Sequence, residues 1–308
     1  MSLAWAAGTV RARAMAQRRL GRPATRELAA CSTLEQALHK LTGSAYGHDV
    51  RPGLTIAEGQ HAVRAALLWQ LRVLAGWQPR AGAELVRRLA AWYEIANVEE
   101  QLRRFAGEPA EPAYELGALA TSWRRLAACN GSSQLREVLA SSPWGDPGGD
   151  SPYAVSVAMR FTWAQRVAAL AAPLVPWAAG AAALLLAQEQ LLGGRRLPDP
   201  TNRAASTLLG HQALQAGSLQ ELAMTAGPDA AWVFEGIDEP ADLWRAESAW
   251  WRRVGDDGDA LLHARSVGGA RPVLGAVAVL AADAWRVCAA LELSDRGGVS
   301  LEVFDAVA

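Results

Sequence analysis

The chain is nearly without lysine: of its 30 basic side chains only Lys40 is one, and the rest are arginine. A phosphate-binding loop of the G-x-x-x-x-G-K-[ST] type is therefore excluded, because its lysine must reach the phosphates and no such pattern surrounds Lys40. No G-x-G-x-x-G follows an apolar strand-like run, so a dinucleotide fingerprint is missing too. Cysteine is scarce. Cys31, Cys129 and Cys288 are odd in number and far apart, with no C-x-x-C, which implies neither a disulfide framework nor a zinc site but buried thiols of a cytoplasmic protein. His39, His48, His61, His211 and His263 are scattered, with no H-E-x-x-H, so no metal centre and no cofactor are expected. Sparse β-branched residues leave little material for a sheet.

Long uncharged runs are also few. Val167–Ala187 is 21 residues without a charge, about the length that crosses a bilayer. Pro173, Pro176 and Gly180 break it into pieces too short to span, so a buried helical segment is expected. Arg11 and Arg13 interrupt the N-terminal apolar stretch, so no secretory signal is expected, and the sequon Asn130-Gly131-Ser132 then never meets the glycosylation machinery. Asp256, Asp257 and Asp259 lack the remaining ligands of a calcium loop and read as an acidic, solvated turn over Gly255–Asp259.

Alanine and leucine dominate a chain that is 51% apolar, and Gly/Pro clusters bound segments of helical length. The expected fold is all-α. The segment from Ala83 to Gly107 carries two overlapping stripes, Leu85, Leu89, Trp92 and Ala96, then Ile95, Val98, Leu102 and Phe105. This pattern describes one long helix covered from two directions. Glu99 with Arg103, and Glu100 with Arg104, stand in the favourable i,i+4 order, and Gly107 with Pro109 ends the segment. A first helix is expected over Ser2–Leu20, with Ser2 as cap and Gly21 as terminator. Near the other end, Arg271-Pro272 opens a long apolar helix, with Pro272 suited to its first position and Asp283 as its first polar side chain. The tail from Gly297 reads as a short strand or extended arm.

Three capped helices resemble one another: Ser32 to Leu38, Ser133 to Leu139 and Gly217 to Ala223. Tyr46-Gly47 and Trp144-Gly145 hold the same place after the first two, and Gly227-Pro228 breaks the chain after the third. This spacing predicts an internal threefold repeat of helical bundles, over residues 1–108, 109–201 and 202–308. Residues 1–108 carry 15 basic against 9 acidic side chains, and residues 109–308 carry 15 against 22. The chain is electrically polarised, and Arg11, Arg13, Arg18 and Arg19 of the first helix read as a basic surface facing a partner. Near-zero net charge and the lack of a recognised module speak against nucleic acid.

Several stretches resemble the C/d family of V-type and A-type rotary ATPase components, the eukaryotic members being those lettered d. They are Val10-Arg11-Ala12-Arg13 with Leu20; Leu34-Glu35-Gln36-Ala37-Leu38 leading to Leu41 and Tyr46-Gly47; Asn97, Val98, Leu102 and Arg103; and Pro272, Trp285, Val287 and Leu291. Their order and distances agree from end to end. Ala281-Ala282-Asp283-Ala284 departs from the Lys and Glu usual there, which marks a divergent member. The resemblance implies a funnel-like stack of three helical repeats with no catalytic residues. Such a component joins the central shaft (D/F-type subunits) to the membrane proteolipid (c/K) ring, serving proton or sodium transport. It would be cytoplasmic and peripheral, reaching the membrane through the complex rather than by its own transmembrane helix. An all-α scaffold or regulator unrelated to rotary ATPases, and an all-α enzyme, stay open from the residues alone.

Overall fold

The computed structural model describes residues 3–264, 269–298 and 301–307. Ser2, expected to cap the first helix, lies outside them, as do Val299 and Ser300 of the tail. The chain runs through α1 (Leu3–Gln17), α2 (Gly21–Ala29), α3 (Leu34–Thr42), α4 (Ile56–Gly76), α5 (Arg80–Ala90) and α6 (Trp92–Phe105). It continues through α7 (Trp123–Leu126), α8 (Ser132–Ala140), α9 (Pro152–Ala168), α10 (Val175–Leu186) and α11 (Asp199–Leu209). The last five are α12 (Leu219–Thr225), α13 (Pro228–Ala231), α14 (Leu243–His263), α15 (Ala270–Asp295) and α16 (Leu301–Val307). The described residues contain no strand, and the fold is all-α as expected.

Local sequence sets many of the starts. Thr55 and Glu58 form a reciprocal capping box at α4, and Thr33, Ser151 and Ser218 each accept a backbone N–H at the heads of α3, α9 and α12. Gly21, at φ 79°, takes the left-handed conformation that turns the chain from α1 into α2.

The helices divide into two compact units, one of residues 1–86 with 251–308, the other of residues 87–250, the divisions falling inside α5 and α14. In the first, α15 is the core: α1, α2, α3 and α4 all pack against it. It is the one described helix long and apolar enough to cross a membrane, yet 83% of its most apolar stretch is buried inside the protein. The α14 portion of this unit crosses it at glycines. A Cβ on Gly275 would stand 2.5 Å from the Gly258 carbonyl oxygen, so the two backbones touch with no side chain between them.

In the second unit, Ala91, Ile95, Val98 and Leu102 meet Leu126, Leu135, Leu139 and Trp144 and, from α9, Val155 and Met159 in a contiguous core. Each fully buried leucine of such a core contributes roughly 1.5–3 kcal/mol of transfer free energy. Helices α9, α11 and α13 pack on α10, whose Gly180 lies against Trp232 and Trp250, and Trp250 Nε1 donates to Trp177 O at 2.8 Å.

Several local expectations are corrected. The Ala83–Gly107 segment is two helices, α5 and α6, meeting at Ala91. Glu99 pairs not with Arg103 but with Arg160 of α9, at 2.8 Å, and accepts from Ser156. Glu100 reaches Arg103, one step nearer than expected, at 3.9 Å and accepts the Glu111 N–H at 2.9 Å. The long-range partners win because they are held on packed elements. Val167–Ala187 is broken as expected, but only between Ala168 and Val175; Pro176 and Gly180 lie within the mostly buried α10 and do not interrupt it. Gly255–Asp259 is no turn; it lies within α14, where Gly255 and Gly258 face Ala282 and Ala278 of α15. Close packing there outweighs the poor helix propensity of glycine. Pro272 is the third residue of α15, not the first, and the tail forms the helix α16 rather than a strand or arm.

Candidate functional site

Two buried carboxylates organise the two units. Asp283, fully buried midway along α15, accepts the N–H groups of Leu20 at 2.9 Å and Gly21 at 2.8 Å and the Tyr46 hydroxyl at 2.8 Å. The amides belong to the start of α2, whose first N–H groups have no partner within the helix, and the dipole there favours an anion. Tyr46 is aimed by Ser44: its N–H donates to Ser44 Oγ at 3.1 Å, while that hydroxyl donates to Leu41 O at 2.7 Å. Arg286, one turn on, stands 3.8 Å from Asp283. Burial lowers its pKa and the Asp283 charge opposes that shift.

Glu94 repeats the device in the second unit. Buried in α6, it accepts the N–H groups of Thr121 at 2.6 Å and Ser122 at 2.8 Å, at the start of α7, and Trp144 Nε1 at 2.7 Å. Trp144 is aimed as Tyr46 is, its N–H donating to Ser142 Oγ at 3.1 Å and Ser142 Oγ donating to Leu139 O at 2.7 Å. The thiols match as well: Cys31 donates to Glu27 O and Cys129 to Arg125 O, each at 3.5 Å. Asn97, one turn after Glu94, adds a reciprocal pair with the Tyr114 backbone, at 2.9 and 2.7 Å. Behind α12 there is no such carboxylate among the described residues. Trp232 donates to Asp229 O at 2.9 Å, and its ring covers Gly180.

These clamps are chemically saturated. A carboxylate with both oxygens occupied by donors and no solvent access fastens a helix, a capped loop and an aromatic anchor together; it has nothing left to give a substrate. The thiols are equally quiet, since burial pushes Cys288 up to about 11 and raises Cys129. An open surface depression between α2 and α3 is lined by Glu27, Cys31, Glu35, His39 and Lys40, charges of both signs. Among the described residues no cluster of three or more His, Cys, Asp or Glu side chains is placed to hold a metal ion.

The four arginines picked from sequence do not act alike. Arg11 lies over the Trp77 ring at 5.5 Å. Arg13 donates to the carbonyls of Leu262 at 3.1 Å and Ala264 at 3.4 Å. Arg19 pairs with Asp259 at 3.2 Å. Arg18 is exposed. Sequence reasoning noticed Asp283 only as a first polar residue and passed over Glu94. The available signal was one acid isolated in an apolar helical run, which must find partners to be buried.

No curated protein matches the chain. The family model described as the ATP synthase (C/AC39) subunit matches residues 9–151, a little under half of the sequence. That stretch holds the entire Glu94 clamp and the Leu20, Gly21 and Tyr46 side of the Asp283 clamp. Over residues 9–151 the chain is similar to the ATP synthase (C/AC39) subunit family.

Proposed function

We propose that the protein is a non-catalytic coupling subunit of a rotary V/A-type ATPase. It acts as a socket that joins the central shaft to the membrane proteolipid ring and passes torque between them during proton or sodium transport. The family match over residues 9–151 carries this reading. The clamps support it: a part that transmits torque needs elements that do not slide, and each buried carboxylate ties two separate segments to the helix that carries it. The apolar α15 is enclosed by its own unit, which favours membrane contact through the complex, on its cytoplasmic face, over a span of its own.

The same reading takes the chain as three helical repeats, 1–108, 109–201 and 202–308, stacked as a funnel. The clamp found twice, and the likeness of the short helices α3, α8 and α12, favour it. Of the basic surface on α1, Arg18 is the residue best placed to meet a partner, because Arg11, Arg13 and Arg19 already have contacts within their own unit. The test is co-purification from native membranes with the tagged full chain. Proteolipid and D/F-type shaft subunits are expected to accompany it, and Arg18→Glu is expected to reduce their recovery. A chain recovered from those membranes without either class of component overturns the proposal.

A further inference from the structure

Helix α10 ends in a π-helical turn, Ala187–Leu192, closed by the Gly193 N–H donating to Gln188 O at 2.9 Å. Such turns are rare and are frequent at functional sites. This one is fixed in place. The Arg195 N–H donates to Glu189 O at 2.8 Å, and its guanidinium meets the Glu189 carboxylate at 2.7 Å while lying over the Tyr153 ring. The wider turn brings Leu192 out to 59% exposure at the end of a helix whose body is buried.

The π turn touches two other elements, α12 and the short turn Pro240–Asp242. Met224 of α12 is 71% exposed, and Trp244, two residues after the Pro240–Asp242 turn, is 44% exposed. Large exposed apolar side chains scattered singly are ordinary. Here, of the four found among the described residues of this unit, Leu192 sits on the π turn, Met224 on α12, which touches it, and Trp244 two residues after the Pro240–Asp242 turn, which also touches it. The chain on the Met224 and Trp244 side is acidic, while Arg195 and Arg196 follow Leu192 and Arg195 is paired with Glu189. Between Leu219 and Asp242 the sequence carries six carboxylates and no lysine or arginine. The nearest following cation, Arg245, is taken up by Asp242 at 3.6 Å and by the Trp244 ring at 5.1 Å.

We infer that this surface is a docking site for a cationic amphipathic helix of a partner protein, its apolar stripe seated on Leu192, Met224 and Trp244 and its arginines or lysines facing the acidic rim. Charge complementarity selects that occupant, since an anionic lipid surface would be repelled. The inference does not depend on the rotary assignment.

The test titrates the full chain into a fluorescein-labelled peptide of about 18 residues, leucine and arginine set in helical amphipathic register, with anisotropy as readout. A peptide of the same composition, scrambled so that no apolar face forms, is the control. The registered peptide is expected to bind at least about tenfold more tightly than the scrambled one, and Leu192→Asp with Met224→Asp to lose about tenfold with an unchanged far-UV spectrum. Asp238→Asn with Glu239→Gln, on an exposed loop, is expected to weaken binding and flatten its salt dependence; it decides the matter if the apolar variant misfolds. Equal binding of both peptides overturns the inference, as does unchanged affinity in the variants. So does sedimentation showing that the protein self-associates through this patch, which would make a second copy the occupant.

Discussion

The Tyr46 hydroxyl donates to the Asp283 carboxylate at 2.8 Å, joining residues 237 positions apart in the chain. Because Asp283 also holds the Leu20 and Gly21 amides, one side chain fastens α15, the start of α2 and the loop after α3. Asp283→Ala leaves two amides, a phenol and the Arg286 charge without their acceptor, and is expected to cost about 3–5 kcal/mol. Tyr46→Phe removes one donor of three and is expected to cost about 1–2 kcal/mol. Urea unfolding of both variants checks the order. A Tyr46→Phe loss as large as that of Asp283→Ala would mean that the phenol ring, not the carboxylate, organises the region.

The second clamp makes a coupled prediction. Trp144→Phe keeps most of the ring and removes the donor to Glu94, which should cost about 1–3 kcal/mol. A double-mutant cycle of Trp144→Phe with Glu94→Gln should give a coupling of about 0.5–3 kcal/mol, since the two side chains meet directly. Additive losses would show that Trp144 contributes through packing alone.

Much of this arrangement was legible in the residues, and the misses share a cause. The heads of α3 and α12 were legible because caps act through contacts a few residues away, although Thr33 and Ser218 do the capping one residue after Ser32 and Gly217, where the repeat pattern begins. The likeness of Tyr46-Gly47 to Trp144-Gly145 was visible as a repeat, but its purpose was not, because the acceptors Asp283 and Glu94 lie far along the chain. The glycines of α14 misled for a related reason. Gly255 and Gly258 among aspartates read as a turn by composition, while their small size serves the approach of α15. The tail was misjudged likewise: α16 packs on α2 and α15, and Arg26 pairs with Asp305 at 2.8 Å, none of which a C-terminal fragment announces by itself.

That close crossing can be tested directly. A methyl group on Gly275 would stand 2.5 Å from the Gly258 carbonyl oxygen and 2.6 Å from the Leu262 nitrogen, both backbone atoms that cannot turn aside. Gly275→Ala should therefore destabilise by about 1–3 kcal/mol or more, despite the better helix propensity of alanine. Gly76→Ala, where a Cβ meets nothing within 4 Å, is the control and should be neutral or slightly stabilising. Thermal unfolding of the pair separates the two effects. Equal behaviour would mean that α14 yields at little cost.

Cys288 gives a pH dependence with a definite sign. Burial pushes its thiol from 9.0 up to about 11, so in the folded chain it keeps a proton that the unfolded chain releases first as pH rises. The unfolded state then binds fewer protons than the native one, and stability falls with rising pH. The contribution is fully present below the ordinary thiol value and is lost between there and about 11. Wild type and Cys288→Ala should show parallel urea midpoints up to about pH 8, after which the wild type should decline more steeply. The same burial should leave Cys288 unalkylated by iodoacetamide at about pH 8 until the chain unfolds, because the thiolate is the reacting form. Rapid labelling of the native protein, mapped to Cys288 by peptide mass, would mean that α15 opens locally around this residue.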